Sequence, residues 1–180
     1  DSWVLQPVKV LAVAAHELCH AAAAVATGGT VVKIAAFWGE SGHTISKGGW
    51  YPAIASAGYM GTAFLGAALV GSTPYLSIQR PLLSAFGVTL IAVYLWSGSA
   101  LTSGFWVGVI FGGLILWSIY RRTGVVPYLA NVLGAILCLY SLHDFRTDLM
   151  QFPENTDAGL LANYWGVPWL TYPIALSWIA

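Results

Sequence analysis

Long runs of apolar residues dominate the chain and follow one another from its beginning to its end. A helix needs about 20 mostly apolar residues to cross the hydrocarbon core of a bilayer. Six stretches approach this length and predict six transmembrane helices: Val8–Thr27, Pro52–Val70, Leu82–Trp96, Leu101–Tyr120, Val125–Leu142 and Leu160–Ala180. The third stretch is short, and only Ser97–Ala100 separates it from the fourth. These two could therefore form a tight, partly re-entrant pair instead of two full spans.

The segment between the first two stretches has a different pattern. Val31, Val32 and Ile34 are β-formers, and they precede the turn-like sequence Gly39-Glu40-Ser41-Gly42. This pattern predicts a short β-hairpin over Thr30–Lys47. At membrane depth such a hairpin is tolerated only where protein covers its backbone. We therefore expect neighbouring helices to surround it.

The composition supports a membrane protein. Of the 180 residues, 58% are hydrophobic and 8% are charged, whereas soluble domains contain about 45–50% and about 25%. Seven basic residues balance seven acidic ones, so no basic surface is available for nucleic acid. These values exclude a soluble enzyme, a nucleic-acid-binding protein and a disordered chain. They predict an all-α integral membrane protein with about six transmembrane helices and a short β-hairpin after the first. Residues 1–180 are expected to form one domain in contact with the lipid bilayer, in a membrane that the sequence does not specify.

One charged residue, Glu17, lies well inside a predicted span. It belongs to the sequence His16-Glu17-Leu18-Cys19-His20, which is an HExxH motif. Residues four apart share one face of a helix, so His16 and His20 can bind the same zinc ion. Glu17 can then remove a proton from water that the metal activates. The alternative is that these are core histidines with Glu17 as a partner. It is disfavoured here, because ionisable groups inside a membrane are costly and usually functional.

A catalytic zinc ion usually has a third protein ligand. Further candidates are distributed along the chain: Cys19, His43, His143, Asp144, Asp148 and Asp157. With six spans, the end of the first span and the connection His143–Gly159 lie on the same side of the membrane, which favours the acidic residues of that connection. Asp157 precedes a predicted helix, whose rigid backbone could fix its carboxylate. Asp144, at the end of the fifth span, is the main alternative.

The order of these elements resembles the site-2 protease family of intramembrane zinc metalloproteases, and specifically its compact branch without a PDZ domain. In that family an HExxH helix is followed by a β-hairpin, a helix rich in small residues and a late Asp-Gly motif. The stretch Pro153–Gly159 resembles the late motif, and this resemblance assigns the third zinc ligand to Asp157. Ser56–Gly61 resembles the small-residue motif. Glu17 takes the role of the catalytic base, and substrate-binding residues are not assigned.

The resemblance implies a zinc endopeptidase that cleaves membrane-spanning peptides. The chain departs from the family pattern at Cys19 and Ala158, where Gly is usual, and Ser56–Gly61 lacks the usual Pro and Asn. These departures keep a second hypothesis open, in which the chain is a catalytically inactive subunit or scaffold of a larger membrane complex. In that case its partner would be another membrane protein. A channel or transporter is disfavoured because the second to fifth predicted spans contain few polar residues.

Overall fold

The computed structural model describes residues 3–39, 41–97, 100–121, 124–151 and 153–179. Within these ranges, the structure describes the backbone but not the side chain of five residues: Val4, Ser97, Asp144, Thr147 and Asp148. Glu40, which the sequence places in the hairpin turn, is also outside the described residues. Within the described part, the chain is mainly helical with one two-stranded sheet.

The first helix, α1 (Gln6–Ala26), lies at the centre of the fold. It packs against the hairpin and several other helices, and 61% of its most apolar 18-residue stretch is buried, against 28–39% in the other long helices. Its many alanines allow these neighbours to approach closely. Gly28, with a φ of 85°, follows the end of α1 and turns the chain into the hairpin. The HExxH motif is therefore enclosed by protein on several sides.

The predicted hairpin is present. Strands β1 (Thr30–Ala36) and β2 (Gly42–Lys47) pair antiparallel, from Thr30 opposite Lys47 to Ala36 opposite Gly42. An irregularity between Val31 and Lys33 interrupts the register. The hairpin packs on α1, and Ser103 donates a hydrogen bond to the Ala36 carbonyl at 3.1 Å. Neighbouring elements therefore cover part of the hairpin, as expected for a hairpin at membrane depth.

In the described part of the chain, six further helices follow the hairpin: α2 (Tyr51–Gly71), α3 (Leu76–Ser97), α4 (Ser103–Tyr120), α5 (Val126–Gln151), α6 (Asp157–Tyr164) and α7 (Thr171–Ile179). Short 3-10 turns lie at Trp3–Leu5, Pro153–Asn155 and Pro168–Leu170. Helices α3 and α4 are two separate long helices, so the structure does not support a re-entrant pair at this position. Among the described residues, α1 to α5 are long and apolar enough to cross a membrane. The chain is an integral membrane protein.

The sixth predicted span is not one continuous helix. The stretch Leu160–Ala180 is divided between α6 and α7, which contain eight and nine described residues. At about 1.5 Å per residue, neither helix can cross a bilayer. The break has a local cause, because Gly166 adopts a φ of 70° and Pro168 begins a 3-10 turn. This stretch is apolar, but the prediction that it forms one unbroken transmembrane helix was wrong.

Two other boundaries also differ from the prediction. Helix α5 continues to Gln151, so His143 and Asp144 lie within a helix and not at the start of a connection. At 26 residues it is about 39 Å long, which exceeds the thickness of the hydrocarbon core. Helix α3 begins at Leu76 and contains Pro81, so it starts six residues before the predicted Leu82.

Two apolar clusters hold these elements together. The larger is centred on α1 and includes buried residues such as Leu11, Leu90 and Leu137. The smaller joins α2, α5, α6 and α7 through Tyr59, Phe145, Ala158 and Ala175. Ala158 directly follows Asp157, so the smaller cluster fixes the start of α6 beside α2.

Candidate metal centre

Three potential ligands converge on one point between α1 and α6. His16 and His20, one turn apart on α1, place their Nε2 atoms 3.1 Å from each other. Asp157, the first residue of α6, places Oδ2 3.2 Å from His16 Nε2 and 3.3 Å from His20 Nε2. Among the described His, Cys, Asp and Glu side chains, these form the one group of three suited to holding a metal ion.

A backbone carbonyl orients the ring of His20. The Nδ1–H group of His20 donates a hydrogen bond to the carbonyl oxygen of Ile54 on α2, at a distance of 2.6 Å. This assignment follows from the hydrogen-bond network, since a carbonyl can only accept. In the neutral ring, Nε2 is then the unprotonated nitrogen, with its lone pair available to a metal. A carbonyl in this position is the usual outer partner of a metal-binding histidine.

The start of α6 directs Asp157 towards the histidines. Thr156 is the N-cap, and its hydroxyl accepts a hydrogen bond from the Gly159 N–H at 3.0 Å. Asp157 therefore does not serve as the cap of this helix. Its Oδ2 atom is buried and accepts no hydrogen bond of good geometry from the described residues. A buried carboxylate oxygen without such a partner is costly, which is consistent with a cation as its intended partner.

The pKa of the Asp157 carboxyl group also reflects its position beside the histidines. Burial on its own would raise the pKa of the Asp157 carboxyl group. The adjacent imidazole of His20, when cationic, has the opposite effect and holds this pKa below its usual range. A metal cation in the same position would favour the ionised carboxylate in the same way.

Gly58 on α2 leaves space for the imidazoles. A Cβ atom at this position would overlap His16 Nε2 and would lie 2.5 Å from His20 Nε2. Any residue larger than glycine would therefore force the rings or the helices apart. Gly58 belongs to the Ser56–Gly61 motif, so this motif shapes the histidine cluster directly.

The arrangement fits a zinc ion. Zinc binds His nitrogens at about 2.0–2.1 Å and carboxylate oxygens at about 2.0–2.2 Å in tetrahedral sites, which separates two ligand atoms by about 3.3–3.4 Å. The three observed separations, 3.1, 3.2 and 3.3 Å, approach this value. Two histidines and one carboxylate also form a known type of catalytic zinc site with an open fourth position.

Glu17 is buried between α1 and the hairpin and is 5% exposed. The hydroxyl oxygen of Thr44, on β2, lies 2.7 Å from Glu17 Oε2. Glu17 precedes His20 by three residues, so the two side chains lie near the same face of α1, and the Glu17 carboxylate is not among the three potential ligands. This is a suitable position for a group that transfers protons and does not bind the metal.

An aromatic contact supports the His16 ring. Tyr59 of α2 packs edge to face on His16, with ring centroids 4.7 Å apart, and on Phe145 of α5, with centroids 5.3 Å apart. Tyr59 is buried. The smaller apolar cluster therefore contacts a candidate ligand and fixes the plane of its ring.

Other candidates from the sequence lie elsewhere or outside the description. The ring of His43 packs near Phe37 in the hairpin, and His143 is exposed on α5. Cys19 contacts α2 at Gly61 and Thr62, so it does not join the histidine cluster. Asp144 and Asp148 lie on α5, and their side chains are outside the described part of the structure.

Several contributors to this centre could not be recognised in the sequence. Ile54 acts through its backbone carbonyl, and the sequence identified Thr44 only as a residue of a strand. Gly58 and Tyr59 stood within a recognised motif, but the motif did not indicate that they contact the histidines. The glycine itself was the one available signal, because close approach between helices often requires it.

Comparison with known proteins gives one match. A family model described as "Peptidase M50B-like" matches residues 1–180. Neither the curated proteins nor the solved structures contain a match to the chain.

Proposed function

The chain belongs to the peptidase M50B-like family of membrane metallopeptidases, and we propose that it is an intramembrane zinc metalloendopeptidase. The observation that carries this proposal is the convergence of two imidazole nitrogens and one carboxylate oxygen within 3.3 Å of one another. This oxygen accepts no hydrogen bond from the described residues. In this proposal His16, His20 and Asp157 hold the zinc ion. Asp157 is preferred to Asp144 because its carboxylate contacts both histidines.

The metal ligands and Glu17 have separate tasks in this proposal. A bound zinc ion supplies Lewis acidity, which activates water and polarises the scissile carbonyl group. The carboxylate of Glu17 accepts the proton of the attacking water and then donates it to the leaving amine. His20 is held by the Ile54 carbonyl and His16 by the Tyr59 ring, so both nitrogens stay aligned.

The position of the HExxH motif within α1 supports one class of substrate. His16, Glu17 and His20 lie within α1, a membrane-spanning helix, so a substrate must present its peptide bond inside the bilayer. We infer that the substrate is a membrane-spanning peptide. Such a peptide must unwind locally, because helical hydrogen bonds shield the scissile carbonyl group. The hairpin Thr30–Lys47 can bind the unwound strand by edge pairing.

The proposal is tested by cleavage of a membrane-spanning peptide in liposomes containing the purified full chain. The peptide carries helix-breaking residues and a fluorescent reporter. The Glu17→Gln variant should retain zinc and lose about 100- to 10,000-fold in cleavage rate, because only the proton acceptor is removed. The matched control is Glu154→Gln, which changes an exposed residue and should cleave like the wild type.

Two outcomes would contradict this assignment. Wild-type activity in Glu17→Gln would exclude Glu17 as the general base. A zinc-loaded wild-type chain that cleaves no membrane peptide would favour the alternative of an inactive subunit or scaffold. One argument for that alternative is weakened by the structure, because Cys19 packs against Gly61 and Thr62 and does not crowd the candidate ligands.

A further inference from the structure

The hairpin contacts the candidate general base directly. The Thr44 hydroxyl on β2 lies 2.7 Å from Glu17 Oε2 and 2.9 Å from the backbone carbonyl oxygen of Glu17. The hydroxyl has a single proton to donate, and a hydrogen bond to an ionised carboxylate is stronger than one to a neutral carbonyl. The carboxylate is therefore the preferred acceptor.

A second residue of the same strand confines the other carboxylate oxygen. A Cβ atom on Gly42 would lie 2.5 Å from Glu17 Oε1 and 2.9 Å from Glu17 Cγ. It would also lie 2.8 Å from Val13 Cγ1, on the preceding turn of α1. Residues 42 and 44 are two apart and so face the same side of the strand. Both carboxylate oxygens of Glu17 are thus next to β2.

We propose that Thr44 and Gly42 are positioning residues, and that strand β2 sets the orientation of the Glu17 carboxylate. This inference rests on the proposed function, in which Glu17 is the general base. Thr44 holds Oε2 through its hydroxyl group. Gly42 leaves the space that Oε1 occupies, and the backbone there can approach α1 because glycine has no side chain.

The proposal gives the hairpin a role distinct from substrate binding. A hairpin that only binds an extended substrate would affect KM when altered. A hairpin that also orients the base should affect kcat, because a misplaced base slows proton transfer without changing substrate affinity. The separate measurement of kcat and KM distinguishes these two roles.

The first experiment replaces Thr44 by Val, which has a similar shape but no hydroxyl group. In the liposome assay, Thr44→Val should lower kcat by about 10- to 100-fold, with little change in KM, because a hydrogen bond to a charged group is lost. Thr44→Ser should restore most of the rate. Thr89→Val is the matched control, because among the described residues the hydroxyl of Thr89 donates to the Ala85 carbonyl of its own helix. All variants should retain zinc.

Gly42→Ala provides an independent variant. It should lower kcat while zinc content stays unchanged, because its Cβ would displace the Glu17 carboxylate and not the metal ligands. Gly113→Ala, where a Cβ would meet no atom within 4 Å, is the control. If Thr44→Val or Gly42→Ala raised KM and left kcat unchanged, the hairpin would bind substrate without positioning the base, and the proposal would be wrong.

An infrared measurement separates this proposal from the proposed activity. The difference spectrum between the wild type and Glu17→Gln isolates the band of the Glu17 carboxyl group. Thr44→Val should shift this band, and Thr89→Val should not. An unshifted band would overturn the positioning role, whatever the activity. A shifted band in a chain that cleaves no peptide would support the contact between Thr44 and Glu17. It would contradict only the assignment of peptidase activity.

Discussion

Replacing Gly58 by Ala should disrupt metal binding although it adds only one methyl group. The added Cβ would lie 2.5 Å from His20 Nε2 and would overlap His16 Nε2. Non-bonded heavy atoms prefer separations of about 3.5 Å or more, so the imidazoles must move by about 1 Å. Metal–ligand distances tolerate changes of about 0.2 Å. The displacement is several times this tolerance and affects both histidines together.

We expect Gly58→Ala to weaken zinc binding by at least about 100-fold, which corresponds to about 2.7 kcal/mol. The assay is competition for zinc between a chromogenic chelator and the purified full chain in detergent. The control is Gly71→Ala on the same helix, where a Cβ meets no atom within 4 Å. It shows how zinc binding responds when a glycine of α2 is replaced by alanine without a steric conflict.

A thermal unfolding measurement without zinc shows whether the Gly58→Ala variant is folded. The reasoning predicts a folded protein with weakened zinc binding. If Gly58→Ala bound zinc as tightly as Gly71→Ala, the two Nε2 atoms beside Gly58 would not be the atoms that hold the metal. The geometry of the candidate centre would then be refuted.

Two further substitutions test the supports of the ligands. Tyr59→Leu removes the ring that packs on His16 and should weaken zinc binding by about 10-fold in the chelator assay, whereas Tyr128→Leu, at an exposed position of α5, should have no effect. Gly159→Ala places a Cβ against the Pro153 carbonyl oxygen, which should displace the start of α6 and weaken zinc binding by at least about 10-fold. Its control is Gly124→Ala, where a Cβ meets no atom of the described residues within 4 Å. Equal zinc affinities in the Gly159→Ala and Gly124→Ala variants would show that the position of Asp157 does not depend on the packing of Gly159.

Much of the fold could be predicted from local sequence properties. Apolar runs of sufficient length identified the first five helices, and β-formers around a turn located the hairpin. The sixth span was misjudged because hydropathy does not report backbone conformation, and Gly166 and Pro168 divide an otherwise apolar stretch. The far end of α5 was missed because its polar residues around Asp144 resemble a connection, although they continue the helix.

In the candidate site, too, local features could be predicted from the sequence, whereas features that depend on tertiary packing could not. The spacing of His16 and His20 within one helix is a local property, so their shared face could be predicted from the sequence. The contributions of Thr44, Ile54 and Gly58 depend on tertiary packing, which brings β2 and α2 against α1. Topology and the helix that follows favoured Asp157 but left Asp144 as an alternative, and the assignment to Asp157 came from the resemblance to a family.

The most direct test of the central claim is the zinc content of the purified full chain, measured by mass spectrometry for the wild type and for the single variants His16→Ala, His20→Ala and Asp157→Ala. The account predicts about one zinc ion per wild-type chain, since His16, His20 and Asp157 leave only the fourth tetrahedral position open. It predicts almost none in either histidine variant and a strongly reduced content in Asp157→Ala. A wild-type chain without stoichiometric zinc, or a His16→Ala variant that retained it, would contradict the account.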